Sequence, residues 1–240
     1  MSTRRHAQRR GRRHIATHSK LTGSVWGPTL LVVSLCAAFV TTVFTASNAV
    51  APTRAHDDSL DTVLAFLVPD ECEPMLLTEL VIASTGVATG TSANELILGS
   101  ASVDVIDGRG GDDCIIGGAN DDEIRGGTGA DTIYGQAGED QIYGENGWDT
   151  IYGGDDDDWI DAGNGQDTVY CDGGNDTIYG RGKTDTIFGG SGDDTIFGNG
   201  GDDTIDGNGD DDTIDGGRDQ DDCVGGNGID VFVQCEVETP

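Results

Sequence analysis

Between residues 90 and 233, polar and apolar positions alternate with a period of nine residues, and this nonad occurs sixteen times without an insertion or deletion. Position eight of the nonad is Ile in thirteen repeats, from Ile97 to Ile214, and Val169, Cys223 and Phe232 occupy the other three. Positions seven to nine predict a three-residue strand whose middle side chain points inward. Positions one to five are rich in Gly, Asn and Asp, which favour turns.

One inward Ile per nonad is too small a core for an independent unit. A fixed short period is typical of solenoids, in which stacked coils bury one continuous apolar ridge. Position seven is Thr in eight repeats, and position nine is often Tyr or Phe. Both kinds of residue form strands well, and ladders of them stabilise neighbouring strands. The pattern therefore predicts an all-β solenoid.

Position six is acidic in all sixteen repeats. One interpretation is that these side chains only cap turns through local hydrogen bonds. That interpretation leaves the excess of acid unexplained, because the sixteen repeats contain 35 acidic and only 5 basic residues. Ca²⁺ prefers six to eight oxygen ligands and accepts backbone carbonyls beside carboxylates, which a glycine-rich turn followed by Asp can supply. We therefore expect multiple calcium ions as the cofactor.

The nonad at residues 126–134 reads Gly-Gly-Thr-Gly-Ala-Asp-Thr-Ile-Tyr and fits the pattern G-G-x-G-x-D-x-U-x, where U is apolar. The chain thus resembles the hemolysin-type (RTX) calcium-binding repeat proteins over 144 of its 240 residues. The resemblance implies a parallel β-roll, an RTX-type β-helix solenoid, of about eight two-nonad coils with a small N-terminal cap. Calcium would lie between glycine-rich turns that stack eighteen residues apart, and about 14 ions would nearly neutralise the repeats.

The candidate metal ligands are the position-six aspartates and the carbonyls of the best-matching glycine turns. They are Asp113, Asp122, Asp131, Asp140, Asp149, Asp158, Asp167, Asp176, Asp185, Asp194, Asp203, Asp212, Asp221 and Asp230, with Gly126, Gly129, Gly144, Gly147, Gly189 and Gly192.

The predicted sites are unequal. The first two repeats have Ala93 and Ser102 at position four and Glu95 at position six of the first, so they are expected to be poor sites and caps. Lys183 replaces the glycine of position four beside Asp185 and brings a positive charge to that site. Arg109 and Arg181 replace the second glycine. Ala162 and Cys171 replace the first glycine, which predicts a weaker joint in the middle of the roll.

The net charge of −31 excludes some classes of partner. Nucleic acid and anionic lipid both require a positive surface, so neither is expected to bind. Calcium ions are the predicted partners, and no small-molecule substrate is expected. Because closely packed carboxylates repel one another, folding is expected to depend on the metal.

The segments outside the repeats predict export and two caps. Residues 1–49 combine a basic start with the apolar run 30–44 and predict a signal peptide of a secreted protein; an uncleaved anchor with the repeats outside is the alternative. Residues 50–89 predict a cap or linker, with an amphipathic helix through Leu60, Val63, Leu64 and Leu67, and a strand or helical turn over 76–82. Residues 234–240 predict a C-terminal cap tail, and 229–237 alternate like a closing strand.

Six cysteines fit an oxidising destination. Cys36 lies in the apolar run 30–44. Cys72 and Cys114 flank the entry to the repeats, Cys223 and Cys235 flank the exit, and pairing within each end would staple both termini. Cys171 would then remain unpaired. Connectivity does not follow from sequence alone, so this pairing is a hypothesis.

No enzymatic activity is predicted. All four histidines precede residue 57, which leaves the repeats without the residues of Ser-His-Asp, Cys-His or H-E-x-x-H chemistry. The leading interpretation is an exported, non-catalytic calcium-binding protein. The alternative is a cell-surface adhesion protein that binds a glycan or protein through the aromatic face of the roll or through the N-terminal cap.

Overall fold

The computed structural model describes residues 69–72, 75–84 and 86–239. Within these ranges the chain forms an all-β parallel solenoid of about nine turns, which confirms the predicted fold class. The described residues contain one short 3-10 helix, η1 (Asp70–Cys72), and no α-helix. Among them, no helix is long and apolar enough to span a membrane. The predicted signal peptide and the predicted helix around Leu60–Leu67 lie outside the described residues.

Twenty strands build the solenoid, and nearly all of them belong to two parallel sheets. In order, the first sheet contains β1 (Glu79–Ile82), β3 (Glu95–Leu98), β5 (Cys114–Ala119), β7 (Thr132–Ala137), β9 (Thr150–Asp155), β12 (Thr168–Gly173), β14 (Thr186–Ser191), β16 (Thr204–Gly209), β18 (Asp222–Val224) and β20 (Val237–Thr239). The second contains β2 (Val87–Thr89), β4 (Val105–Asp107), β6 (Glu123–Gly129), β8 (Gln141–Gly147), β10 (Trp159–Asp161), β13 (Thr177–Tyr179), β15 (Thr195–Gly200), β17 (Thr213–Arg218) and β19 (Val231–Val233). The short strand β11 (Asn164–Gly165) pairs with β8 outside this order.

Equivalent residues of neighbouring coils lie eighteen positions apart, so two nonads make one coil. Ile133 pairs with Ile151 in the first sheet, and Ile178 pairs with Ile196 in the second. The position-eight isoleucines have no exposed surface and form one continuous core between the two sheets. This ridge is the stacked core that the nonad pattern predicts, because each Ile gains its neighbours only from the coils above and below.

The sheets extend beyond the repeats at both ends. Before residue 90, β1 pairs with β3 and β2 pairs with β4, so the segment 76–82 contains a strand rather than a helical turn. After residue 233, β20 pairs with β18. These additional strands lengthen the solenoid from the expected eight coils to about nine turns.

Two disulfides fasten the ends, in the pairing favoured by the cysteine positions. Cys72–Cys114 ties η1 to β5, and Cys72 and Cys114 join Leu96 in a small buried cluster. Cys223–Cys235 ties β18 to the segment after β19. Among the cysteines that the structure describes, Cys171 is the one without a disulfide partner, and it is buried in the core.

Aromatic side chains form a ladder on the outside of each sheet. On the first sheet, Tyr134, Tyr152, Tyr170 and Phe188 stack with ring centroids 4.7–5.1 Å apart and nearly parallel planes. On the second sheet, Trp159 lies between Tyr143 and Tyr179 with tilted rings, and Phe197 continues the stack. The position-nine pattern predicts both faces, but it does not predict the insertion of Trp159, which occupies position seven.

Candidate metal centre

The turns between the sheets have a two-residue alternation in backbone conformation. From Gly108 onward, position two of every nonad has a positive φ, as in Gly127 (112°) and Asn199 (72°). The φ of position four is also positive in nearly every repeat, as in Gly129 (138°) and Lys183 (95°). Gly and Asn tolerate this region at little cost, which explains why both positions are rich in these residues.

The solenoid has two turn edges. Turns that lead into the first sheet form the first edge, and turns that lead into the second sheet form the second edge. The position-six residues of the first edge are Glu95, Asp113, Asp131, Asp149, Asp167, Asp185, Asp203 and Asp221. Those of the second edge are Asp104, Asp122, Asp140, Asp158, Asp176, Asp194, Asp212 and Asp230.

The position-six aspartates connect successive coils on both edges. From Asp113 to Asp230, the Oδ1 of each accepts a hydrogen bond from the backbone N–H of the position-six residue one coil earlier, as from Asp131 to Asp149 (2.9 Å) and from Asp140 to Asp158 (2.9 Å). Their side chains are at most 3 % exposed from Glu95 to Asp221. The carboxylates are thus held in two straight internal columns.

The second carboxylate oxygen of these aspartates has no hydrogen-bond partner within the described residues. This holds for Oδ2 of every position-six Asp from Asp113 to Asp221. An unpaired buried oxygen of this kind is costly, because it has lost water and gained nothing in return. Fourteen such atoms in two straight columns, counting Oδ1 of Asp104, indicate a missing binding partner rather than an isolated defect.

The position-one glycines leave space in front of these oxygens. A Cβ built on Gly126 would lie 2.6 Å from Oδ2 of Asp131 and 3.0 Å from the carbonyl oxygen of Gly144 in the next coil. A Cβ on Gly189 would lie 2.4 Å from Oδ2 of Asp194. Gly144 is equivalent, with Asp149 Oδ2 at 2.8 Å. A side chain at these positions would fill the space between a carboxylate and a carbonyl, both of which are calcium-type ligands.

The position-four glycines have a different environment. A Cβ on Gly129 would lie 1.8 Å from the carbonyl oxygen of Gly111, and one on Gly192 would lie 1.9 Å from that of Gly174. At Gly129 and Gly192, close stacking and the positive φ therefore both favour glycine. Gly147 is stacked as closely, 1.6 Å from the carbonyl oxygen of Gly129, but it lacks the positive φ of the other two.

Burial strongly perturbs the carboxyl groups in the absence of a metal. Loss of water, which is the main cause, and repulsion by neighbouring carboxylates in the same column together raise the pKa of Asp149 and of Asp158 to about 8, against a lowering by the backbone hydrogen bond. The pKa of Asp131 and of Asp194 rises to about 7 for the same main reason. Such shifts mark groups whose charge lacks compensation.

The ends of the columns differ from the middle. Glu95 and Asp104 accept hydrogen bonds from their own turns, from Thr91 and Ser100, and they are the first acidic residues of the two columns. At the other end, the N–H of Asp221 donates to a side-chain oxygen of Glu236 at 2.7 Å. Glu236 thus acts as the final acidic residue of the first edge. Glu236 follows Asp221 by fifteen residues rather than eighteen, so the nine-residue period does not predict its role.

A second set of hydrogen bonds lies outside the aspartate columns. Position-five side chains accept the N–H of the position-five residue in the following coil, as Asp112 does for Ala130 (2.9 Å) and Asn175 for Asp193 (2.9 Å). This role of position five was not predicted from the sequence. The signal was the frequent Asp or Asn at position five, which resembles ordinary turn composition.

The donor set of each site is one carboxylate with backbone carbonyls. No cluster of three or more His, Cys, Asp or Glu side chains suited to a metal occurs in the described part of the chain. A shell of that composition fits calcium, which accepts carbonyl oxygens, and does not fit zinc, which prefers nitrogen and sulfur.

The stacked glycine turns and buried carboxylates define a class of parallel β-rolls built for cations. A family model described as the RTX calcium-binding nonapeptide repeat matches overlapping segments that together run from residue 89 to residue 232. The matched segments are 89–124, 116–147, 143–178, 170–205, 179–214 and 197–232. The chain therefore belongs to the family of RTX calcium-binding nonapeptide repeat proteins. No curated protein matches it.

Proposed function

We propose that this chain is an exported, non-catalytic calcium-binding protein whose β-roll folds when calcium binds between the stacked turns. The observation that carries the proposal is the pair of columns of buried, unpartnered carboxylate oxygens. Bound calcium would supply the positive charge that these oxygens lack. The chain contributes the rest, since the glycine turns hold the carboxylates and carbonyls one coil apart and keep side chains out of the space between them.

We assign the ligands by the geometry of each turn. The carboxylates come from the position-six aspartates Asp113 to Asp221, and Asp230 ends the second edge as a partly exposed and weaker member. Gly126, Gly144 and Gly189 keep the space in front of the carboxylate open, and Gly129, Gly147 and Gly192 allow the carbonyls of successive coils to stack. These roles explain why both glycine positions recur.

Export and a non-catalytic role are supported by the sequence. The basic start and the apolar run 30–44 support a signal for export, with an uncleaved anchor as the alternative. Calcium-binding modules outside cells function at roughly 10⁻⁴–10⁻³ M calcium, far above cytosolic concentrations. Folding would therefore follow export.

The adhesion alternative receives less support at the aromatic face. In the ladder from Tyr134 to Phe188 the ring planes lie within 10° of parallel and each inner ring has a neighbour on both sides. The ring faces, which a sugar would stack against, are thus used within the ladder. The ladder is better explained as a stabiliser of neighbouring strands.

Isothermal titration of the full chain with calcium at neutral pH tests the proposal. The account predicts about ten or more ions per chain, because most of the orphaned oxygens belong to complete internal turns. Asp194→Asn should remove about one ion. Asp193→Asn is the matched control, since Asp193 is the exposed neighbour and Asn retains the oxygen that accepts the N–H of Asp211. Binding of no more than one or two ions would contradict the proposal.

A further inference from the structure

The middle of the first edge carries an exposed tryptophan beside a shallow groove. Trp148 occupies position five of its nonad and is 70 % exposed. The groove has a volume of about 570 Å³ and runs past Ala130, Gln166 and Thr184, the position-five residues of the neighbouring coils. A large exposed indole is unusual on a soluble surface and often marks a binding site.

The turn conformation changes at this place. From Gly108 onward, Gly147 and Gly165 are the two position-four residues without a positive φ among the described repeats. Here β11 pairs with β8, so Asn164 and Gly165 lie in register with Asn146 and Gly147. The backbone of these two turns thus departs from the alternation of the other repeats, and Gly147 and Gly165 both line the groove.

The outer hydrogen-bond ladder is interrupted in the same coils. Elsewhere Asp or Asn at position five accepts the N–H of the next coil, as Asp157 does for Asn175 (2.7 Å). In the groove, the position-five side chains of Ala130 and Trp148 contain no oxygen that could accept the N–H of the following coil. Within the part of the chain that the structure describes, the side chains of Gln166 and Thr184 are exposed and make no hydrogen bond. Their amide and hydroxyl groups are therefore free for a ligand.

The groove is also a nearly uncharged place on a strongly acidic molecule. Lys183 is the single charged residue that lines it. The aspartates beneath it, such as Asp149 and Asp167, are at most 2 % exposed. In the same coil, the turn on the second edge contains Asp155, Asp156 and Asp157. A cationic ligand would favour the second edge, so the groove fits a neutral ligand.

We propose that this groove binds a neutral oligosaccharide of glucose-type ring configuration. The C–H face of one ring would lie on the indole of Trp148, and hydroxyls of the chain would bond to Gln166 and Thr184. An aromatic platform with a few fixed polar groups is the usual composition of such a site. These three side chains lie one coil apart at a strand spacing of about 4.8 Å, so they span roughly 10 Å, the length of a short oligosaccharide.

The proposal rests on the proposed function, because the groove is formed by turns that fold with calcium. Two neutral probes test it, cellohexaose and the hexamer of β-1,4-linked N-acetylglucosamine, titrated calorimetrically into the full chain in millimolar calcium. Saturable binding of at least one probe is expected. Trp148→Ala should weaken it about tenfold or more and Gln166→Ala about threefold, because a central aromatic carries most of the binding energy.

Glu139→Ala is the matched control, since Glu139 is the exposed position-five residue one repeat earlier on the opposite edge, and its variant should bind as the unaltered chain does. Circular dichroism of each sample checks the fold. The proposal is overturned if a calcium-folded chain binds neither probe, if Trp148→Ala binds equally well, or if the site proves to bind a protein instead. A chain with no calcium-dependent β signal contradicts the proposed function, whereas probe binding that depends on Trp148 in that chain would still support the groove.

Discussion

The two turn edges of the roll have the same buried carboxylates but different charges on their exposed positions. Both contain a column of buried aspartates with one paired and one orphaned oxygen, and burial raises the pKa of Asp149 on the first edge and of Asp158 on the second to about 8. On the outside, positions one to five of the first edge carry 4 acids and 4 bases, whereas those of the second carry 9 acids and no base. The four bases are Arg109, Arg181, Lys183 and Arg218.

This difference separates the part of the turn that the fold requires from the part that it leaves free. The inner column cannot vary, because each carboxylate bonds to the backbone of the neighbouring coil. Outer positions are solvated and can carry either charge. The second edge therefore depends more strongly on bound cations, since nothing in its turns offsets the repulsion between carboxylates.

Of the changes considered, lowering the pH should have the largest effect on the stability of the metal-free chain, and it should act on both edges. The pKa values of the buried aspartates, about 6 for Asp140 and about 8 for Asp158, lie above the ordinary value near 3.9, so the folded chain holds more protons than the unfolded chain. This contribution to stability is complete below about pH 4 and is lost as the pH rises through 6 to 8. In EDTA, the β signal in circular dichroism should be present at pH 5 and absent at pH 8. Equal signals at the two pH values would contradict the assigned burial.

Filling the space in front of a carboxylate should have the next largest effect. In calcium, Gly189→Ala on the second edge should lower the free energy of unfolding by about 1–3 kcal/mol, because the new Cβ would lie 2.4 Å from Oδ2 of Asp194. Gly180→Ala on the first edge should cost less, because the corresponding distance to Asp185 is 2.8 Å. Urea denaturation measures both. Gly182→Ala is the control, since a Cβ there meets no atom within 4 Å. Equal losses in all three variants would refute the assigned role of position one.

Removing one charge from each column should sharpen the comparison between the edges. Asp194→Asn on the second edge and Asp185→Asn on the first should each lower the calcium count by about one ion. The loss in thermal stability should be larger for Asp194→Asn, because Lys183 already offsets part of the charge near Asp185. Calorimetric titration and thermal melts in calcium provide both numbers. A larger loss for Asp185→Asn would contradict the proposed difference between the edges.

The smallest expected effect comes from the lysine of the first edge. Lys183 has a φ of 95° at position four, so Lys183→Gly both removes a cation and relieves the backbone. The calcium affinity of the weakest class of sites should rise about threefold, as expected for a screened surface charge. Lys183→Arg preserves the charge and should leave the affinity unchanged. If both substitutions raise it equally, the charge of Lys183 plays no part.

The architecture could be predicted from the sequence because the coils of the structure repeat as strictly as the nine-residue pattern of the sequence. The apolar residues at position eight predicted the core, and the acidic residues at position six predicted the rows of carboxylates. Features outside the period of nine were not predictable: Glu236 completes the first edge at a spacing of fifteen, and β1 pairs with β3 at a spacing of sixteen. The loss of the positive φ at Gly147 and Gly165 was also not predictable, since glycine permits either sign of φ.

Roles that depend on neighbours in the adjacent coil were only partly visible. Trp159 joins an aromatic ladder from position seven because Tyr143 and Tyr179 lie one coil before and after it. The position-five hydrogen bonds require the stacking to be known before the donor can be identified. In both cases the missing information was a contact across eighteen residues rather than a property of the residue itself.

Circular dichroism of the full chain at pH 8, in millimolar calcium and in excess EDTA, tests the central claim most directly. The account predicts a strong β signal with calcium and its loss in EDTA, because the metal-free roll would hold two columns of charged carboxylates with nothing between them. The same β signal in EDTA, unchanged by added calcium, would contradict it.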